Sequence, residues 1–540
     1  MKPAPGRDQI GLRVSIRLHD PEGGFRDLLG RLQSENRVLK KDGTIVSFDP
    51  SAIALWKVVP EMRSSTGIFL FDTQSRANVE LQISDGKTLR LYCCGPTVYR
   101  DAHVGNLRTF LLADLVVRLA MMKGFEVQLI QNITDVGHMG NDFQESDSVP
   151  GEDKVLAEAE RQKVDPLEIA RRYEKKFHDD LAAMGIMPAS LYPRASESIA
   201  LMQNLITALI EIESAYVGSD GNVYFDARSF QTYGAISGNR LDSLKPGHRY
   251  EYNEDSHKRF HADWALWKLA ENRTTMIWDS PWGAGFPGWH IECSAMSLHY
   301  LRGKIDLHLG GIDLRFPHHE NERAQSNAIS GTEVTALWLH GEHLLFEGRK
   351  MSKSAGNVLL VSDVQEAGLD PLSLRLSFME NKYRSQMDLT WSAIEAADGT
   401  IKRWRRKYQE WRNDSDDDMR GEPVPEVAQS LIAEIIAILS QDLDTPRALI
   451  KLREIERNES LSCQTRADVF EAVEKFFGLN IAHSATSRVL TPDLQDLLDN
   501  RVTARANKDY ARSDQLRDQL LLQGIKVIDS AHGQTWEVID

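Results

Sequence analysis

The sequence predicts an α/β protein built around a doubly wound domain, with a small all-β module before it and a helical bundle and small terminal unit after it. Three observations predict this. From Thr88 the chain reads as a strand (Leu89-Arg90-Leu91-Tyr92), a loop, a long amphipathic run over residues 106 to 123, and a second strand (Val127-Gln128-Leu129-Ile130). That is the βαβ unit that opens a doubly wound domain. Residues 10 to 60 instead alternate apolar and polar side chains in short runs, Leu12-Arg13-Val14-Ser15-Ile16 and Ile45-Val46-Ser47-Phe48, with Asp42-Gly43 as a hairpin signal. Beyond a hydrophilic linker with Asp414, Asp416, Asp417, Asp418, Pro423 and Pro425, residues 427 to 477 read as the helices of a bundle.

These marks divide the chain into a β extension at 1–62, a doubly wound domain at 66–400 with an insertion at about 166–263, a linker and helical bundle at 401–490, and a terminal unit at 491–540. A polar stretch at 141 to 153 reads as mobile, and there are no internal repeats.

With 540 residues, 41% hydrophobic and 8% aromatic, the chain is long enough for several globular domains and too apolar to be mostly disordered. No stretch nears the roughly 18 uninterrupted apolar residues of a membrane helix. Residues 1 to 19 lack the apolar core of a signal peptide, so a cytoplasmic protein without a membrane partner is expected. Four cysteines, Cys93, Cys94, Cys293 and Cys463, are too few for a disulfide framework and fit metal ligation better, with Cys463 a packing residue. A formal charge of −15 excludes a protein that coats nucleic acid indiscriminately. A nucleic-acid partner would need local basic patches such as Lys402-Arg403-Trp404-Arg405-Arg406-Lys407.

The run Cys94-Gly95-Pro96-Thr97-Val98-Tyr99, followed by His103-Val104-Gly105-Asn106, falls in the loop after the first strand, where doubly wound folds bind ligands. Gly105 permits close approach of backbone and nucleotide, and the following helix aims its N-terminal amides at phosphates. His103 and Asn106 can each donate a hydrogen bond to a phosphate oxygen. This segment resembles the first signature of class I aminoacyl-tRNA synthetases, usually His-Ile-Gly-His, with Asn106 in the fourth place. Lys350-Met351-Ser352-Lys353-Ser354, followed by Gly356, matches the second signature at all five positions. Its lysines would neutralise charge gathering on a pyrophosphate leaving group.

Between the signatures lie Gly288-Trp289-His290-Ile291-Glu292-Cys293-Ser294-Ala295-Met296 and Phe316-Pro317-His318-His319-Glu320-Asn321-Glu322. Both closely resemble cysteinyl-tRNA synthetases, a family in which zinc binds the substrate thiol. The resemblance spans residues 66 to 540 and implies a Rossmann-type class I catalytic domain, a tRNA-binding bundle and a C-terminal anticodon-binding unit; residues 1–62 resemble SH3-like barrels. Carried over by position, the ligands of one Zn2+ per chain fall on Cys94, Cys293, His318 and Glu322. His318 and Glu322 are four apart, so on a helix they share one side. Two thiolates, an imidazole and a carboxylate suit Zn2+ better than Mg2+ or Ca2+. Cys93, next along the strand, would point the other way. A metal bond to sulfur makes the choice against serine a chemical one, where shape alone separates near-isosteres by only about 10 to 200-fold.

The resemblance further implies Thr97, Thr134, Trp289 and His308 around the cysteine, and Gly310, Gly311 and Asp313 beneath the adenosine. Catalysis would rest on His103, Asn106, Lys350, Lys353 and Mg2+-bound ATP. In the tail, Arg505, Lys508, Tyr510, Arg517 and Trp536 resemble an anticodon-reading end. The implied protein is a monomeric ligase joining L-cysteine to tRNA(Cys) at the expense of ATP. Two alternatives stay open: a ligase joining cysteine to an amino sugar in mycothiol synthesis, and a non-catalytic synthetase-like regulator.

Overall fold

The computed structural model describes residues 4–6, 9–10, 12–20, 23–40, 43–59, 64–137, 153–244, 257–271, 273–351, 356–414, 424–482, 492–507, 509–523, 525–530 and 533–538. Of the stretch expected to be mobile, only Asp153 falls within them; Lys353 and Lys508 lie outside.

Four parallel strands form the centre, in the order Trp338–Gly341, Leu307–Gly311, Thr88–Cys93, Glu126–Gln131. Leu91 pairs with Leu307 on one side and Leu129 on the other. Leu89, Leu91, Leu307, Leu309 and Leu339 are wholly buried, as expected of a parallel sheet covered on both faces. The first crossover runs through helix Val104–Met122 to the strand Glu126–Gln131, whereas the later strands join on the opposite side of Thr88–Cys93. The reversal leaves a crevice at the carboxyl ends of Thr88–Cys93 and Leu307–Gly311, the place such folds bind ligands. Cys94 and Gly311 stand at its lips.

Residues leading to the second half of this domain form their own layer. Ala215–Val217, Val223–Phe225, Trp264–Leu269 and Gly285–Pro287 make an antiparallel sheet, packed through helix Ile199–Glu211 and a core in which Phe225 stacks on Trp264 at 4.5 Å. This sheet continues past residue 263, the expected end of the insertion, to Pro287. There Gly288, extended at the N-cap of helix Trp289–Tyr300, passes so close to the neighbouring strand that a Cβ on it would lie 2.1 Å from the Ala265 carbonyl oxygen. That close approach fixes where the helix presents Cys293.

At the N-terminus, alternating burial along Arg13–His19 and its neighbours builds a five-stranded antiparallel sheet over a core of Val14, Ile16, Leu18, Leu28, Leu32, Val38 and Phe48. A hairpin, Ser64–Asp72 with Ala77–Ile83, then docks on the central sheet, Asp72 accepting from the Trp338 amide at 2.9 Å.

The bundle comprises helices Trp391–Asn413, Glu426–Leu439, Thr445–Arg457 and Cys463–Phe477. It shares one continuous apolar core with the central domain, running from Ile68 and Leu91 to Phe470 and Ile481. Buried Arg375 fastens the joint. It bonds Asp114 of helix Val104–Met122 at 2.6 Å, reaches the Gly185 carbonyl, and caps the Phe476 and Phe477 carbonyls that end helix Cys463–Phe477. The basic run at 402 to 407 is partly consumed here: Arg403 pairs with Glu456, and Arg405 with Asp370, both at 2.8 Å. Arg403 therefore ties two bundle helices and Arg405 ties the bundle to the central domain, leaving less positive charge for phosphates than the sequence promises. The terminal unit, helices Pro492–Ala506 and Tyr510–Leu522 with a hairpin Ile525–Ser530 and Gly533–Val538, has a separate core of Leu494, Leu498, Leu520, Ile525 and Val527. Tyr510, 63% exposed, is presented to solvent.

Candidate active site and metal centre

Three distant segments converge at the crevice. Cys94 follows the strand Thr88–Cys93, Cys293 lies in helix Trp289–Tyr300, and His318 and Glu322 share a face of helix His318–Ser330. Their donor atoms lie within 4.8 Å of one another. Sγ of Cys94 is 3.8 Å from that of Cys293 and 3.4 Å from Glu322 Oε1, which is 3.1 Å from His318 Nε2. Cys93 is buried in the main apolar core, in a different cluster from Cys94, so the alternation of the strand separates them as expected.

A second group, Cys94, His308, His319 and Glu322, converges equally closely, both imidazoles standing 3.4 Å from Cys94 Sγ. The two groups differ in their outer partners. His318 Nδ1 meets His290 Nδ1 at 2.9 Å, and Trp289 stacks on its ring at 4.0 Å. His319 Nδ1 meets His340 Nε2 at 2.8 Å, and His340 Nδ1 meets Thr73 Oγ1 at 2.7 Å. His290 and His319 lie inside the two quoted sequence runs, so their company was a usable signal. Thr73 and His340 carry no such mark.

Burial pushes the Cys94 and Cys293 thiols and the Glu322 carboxyl up, and the His318 and His319 imidazoles down; His308 falls to about 3 for the same reason. A cation reverses that balance, favouring thiolate and carboxylate. His318 Nε2 and Glu322 Oε2 are buried without a hydrogen-bond partner among the described residues, which is how donor atoms facing a metal stand. The donor chemistry and these two atoms fit a metal ion.

Other expected positions divide. Thr97 and Trp289 line the cavity that opens from Cys94, together with His103, Gly105, Asn106, Gly311, Asp313 and Lys350. Thr134 does not: its hydroxyl, 1% exposed, is engaged by Glu292 and Asn132, both at 3.1 Å. His308 and Gly310 are buried behind the lining, His308 against Cys94 and Gly310 where a Cβ would strike His319 at 2.5 Å. The Cys94 loop is held by a backbone contact so close that a Cβ at Gly95 would lie 1.6 Å from the Asn132 carbonyl oxygen.

At the opposite end of the cavity His103 caps helix Val104–Met122, its Nδ1 accepting from the Asn106 amide at 3.2 Å. A neutral ring so used carries its proton on Nε2. Gly105 is pressed by Met351, whose Cε would be 2.7 Å from a Cβ there, so the two signature segments touch. Lys350 stands exposed on the same cavity.

Comparison with known proteins identifies the family. The family profile described as "tRNA synthetases class I (C) catalytic domain" matches residues 80–399, and that of the cysteinyl-tRNA ligase anticodon binding domain matches 487–536. A cysteine–tRNA ligase from Thermus thermophilus is 39% identical over 491 residues, covering 87% of this chain and 99% of its own length. One from Deinococcus radiodurans is 36% identical over 490 residues, covering 87% and 96%. Among solved structures, a Mycobacterium tuberculosis methionyl-tRNA synthetase in complex with methionyl-adenylate aligns over 73% of this chain and 90% of its own at TM-score 0.49 and 14% identity. From the catalytic match, the anticodon-domain match and these near full-length relatives, the chain belongs to the cysteine–tRNA ligase family of class I aminoacyl-tRNA synthetases.

Proposed function

We propose that this chain activates L-cysteine with ATP and transfers it to tRNA(Cys), releasing AMP and pyrophosphate. The observation that carries this reading is that the buried Cys94, Cys293, His318, Glu322 cluster adjoins, through Cys94, the same cavity that both signatures line. In it the cysteine carboxylate attacks the α-phosphate of ATP, pyrophosphate leaves, and a terminal ribose hydroxyl of tRNA takes the acyl group. His103 donates from Nε2 to a phosphate oxygen, Asn106 assists, and Lys350 and Lys353 neutralise the leaving pyrophosphate beside Mg2+. Gly311 and Asp313 receive the ribose, with Gly310 packed beneath; Thr97 and Trp289 hold the amino acid, and Thr134 and His308 support that pocket from behind. Held by Cys94, Cys293, His318 and Glu322, Zn2+ would supply a soft acceptor for the substrate sulfur that a serine hydroxyl does not satisfy.

The anticodon-domain match over 487–536 supports a tRNA acceptor and disfavours an amino sugar. Within this reading residues 66–400 carry catalysis, 401–490 the linker and tRNA-binding bundle, and 491–540 the anticodon unit, in a chain acting as a monomer. Among the described residues no helix is long and apolar enough to cross a membrane.

The test is charging of tRNA(Cys) transcript with radiolabelled cysteine and ATP by the full chain, with serine as control amino acid. Cysteine-specific charging that weakens when the anticodon is altered supports the reading. Cysteine-dependent pyrophosphate exchange without charging would move the acceptor to an amino sugar.

A further inference from the structure

The helix that follows the first signature carries a buried cation to which the reaction above gives no task. Arg108, on helix Val104–Met122 just beyond Asn106, is 6% exposed and is not among the residues lining the cavity. Among the described residues its partners are four backbone carbonyls and no carboxylate. Nη1 donates to Glu342 at 2.9 Å and His343 at 3.2 Å, and Nη2 donates to Lys382 at 3.2 Å and Ser385 at 3.1 Å. Burial pulls the guanidinium down to about 10 and the Glu342 charge opposes the fall, so the group is still a cation at neutral pH. A cation so buried needs compensation, and here carbonyl dipoles supply it.

The two carbonyl pairs are the roots of one small sheet. Glu342 and His343 line the cavity and lead into strand Leu344–Phe346. That strand pairs antiparallel with Arg349–Lys350, Leu345 opposite Lys350, and parallel with Met387–Leu389, which residues 382 to 385 precede. One guanidinium therefore holds the starts of two of the three strands against the first-signature helix, and the third strand ends in Lys350. Further on, the chain returns to the same helix, where the Val104 amide donates to the Leu359 carbonyl at 3.0 Å. Lys350 and Leu359 are thus both tied to helix Val104–Met122, one through Arg108 and the small sheet, the other directly. Arginine suits this joint because its planar fork offers one nitrogen to each strand root, which the single ammonium of a lysine does not.

We propose that Arg108 is a positioning residue for adenylate formation: by pinning the roots of this sheet it sets where Lys350 stands relative to His103 and Asn106, and so to the leaving pyrophosphate. The inference rests on the proposed cysteine activation and adds to it a residue that touches no substrate. Lys350 is exposed and has no packing of its own to fix it, so the strand that carries it must do so.

The test is a double-mutant cycle on the full-length enzyme. It reads cysteine-dependent pyrophosphate exchange per active site, the sites being counted from the burst of adenylate. Arg108→Lys keeps the charge and gives up the bridge, and Lys350→Ala removes the group being positioned. Arg108→Lys is expected to lower kcat about tenfold in the wild-type background and less than about twofold in the Lys350→Ala background. KM for cysteine and metal content are expected to hold. A residue that only supports the fold would cost the same factor in both backgrounds, or move melting temperature and site count alone; either result overturns the assignment. Arg108→Gln, which keeps donors for one strand root without the charge, repeats the cycle if the lysine variant is poorly soluble. Loss of folding in both variants assigns Arg108 to the core and also overturns it. Wild type without cysteine-dependent exchange would instead sink the parent reading, and this assignment with it.

Discussion

At the amino-acid end of the cavity, Cys94, Cys293, His318 and Glu322 are each at most 4% exposed, and the rings of His318, His319 and His340 are each held by another ring or a hydroxyl. At the nucleotide end, Asn106 and Lys350 are open to solvent, and the helix cap is set by one histidine. Under the proposed function, the difference follows from what each end must do. A metal-ligand set has to be desolvated and locked, because its geometry decides selectivity. A triphosphate must enter and pyrophosphate must leave, so that end keeps hydrated cations whose attraction is screened by salt.

The sharpest break of this contrast is Cys293→Ser. It should remove most bound metal and lower cysteine activation about 1,000-fold together, read by elemental analysis and pyrophosphate exchange. Full metal and activity in that variant would refute the ligand set. At the open end, Lys350→Ala should slow adenylate formation about 100-fold while metal content and melting temperature hold, because an exposed side chain carries no packing. His290→Ala tests whether the outer partners matter. By removing the ring that meets His318 Nδ1 at 2.9 Å it should weaken metal retention against a chelator about tenfold, with only the retention half-time needed as readout.

The smallest effect lies at Asp180, in helix Pro166–Ala183. Burial and the Asp101 charge push Asp180 up to about 6 from an ordinary 3.8. A carboxyl raised in the folded state favours folding below its unfolded value and loses that contribution as pH rises through 6. Asp180→Asn should therefore leave stability unchanged near about pH 4 and raise it above about pH 6, by roughly 1 kcal/mol after solvent screening. Melting curves across that range check the sign.

Much of this was legible because signatures are local. The strand, loop and helix around residues 88 to 131 follow from periodicity, and His103 with Gly105 announces its own helix start. The four clustered donors could be named only through family resemblance, since Cys94 and Cys293 meet across half the doubly wound domain. What sequence could not yield were partners set by tertiary contact. Thr73 reaches His340 from a hairpin far upstream, and Arg403 and Arg405 spend their charge on Glu456 and Asp370, so a run that reads as a phosphate patch is in part a clamp. Thr134 likewise looks like a pocket residue in sequence, while its hydroxyl braces Glu292 from behind.

The Arg375 joint has an evolutionary consequence. Because it ties the helix after the first signature to the end of helix Cys463–Phe477, and because one core spans both, a chain shortened to Asp414 would strip capped carbonyls and bare the apolar underside of its catalytic half. The detachable part begins only after Ala482, where the terminal unit with its separate core takes over. Because the terminal core shares no residue with the core upstream, a changed tail leaves that core's residues in place, so changes in the terminal unit and changes in the catalytic half are free to be inherited separately.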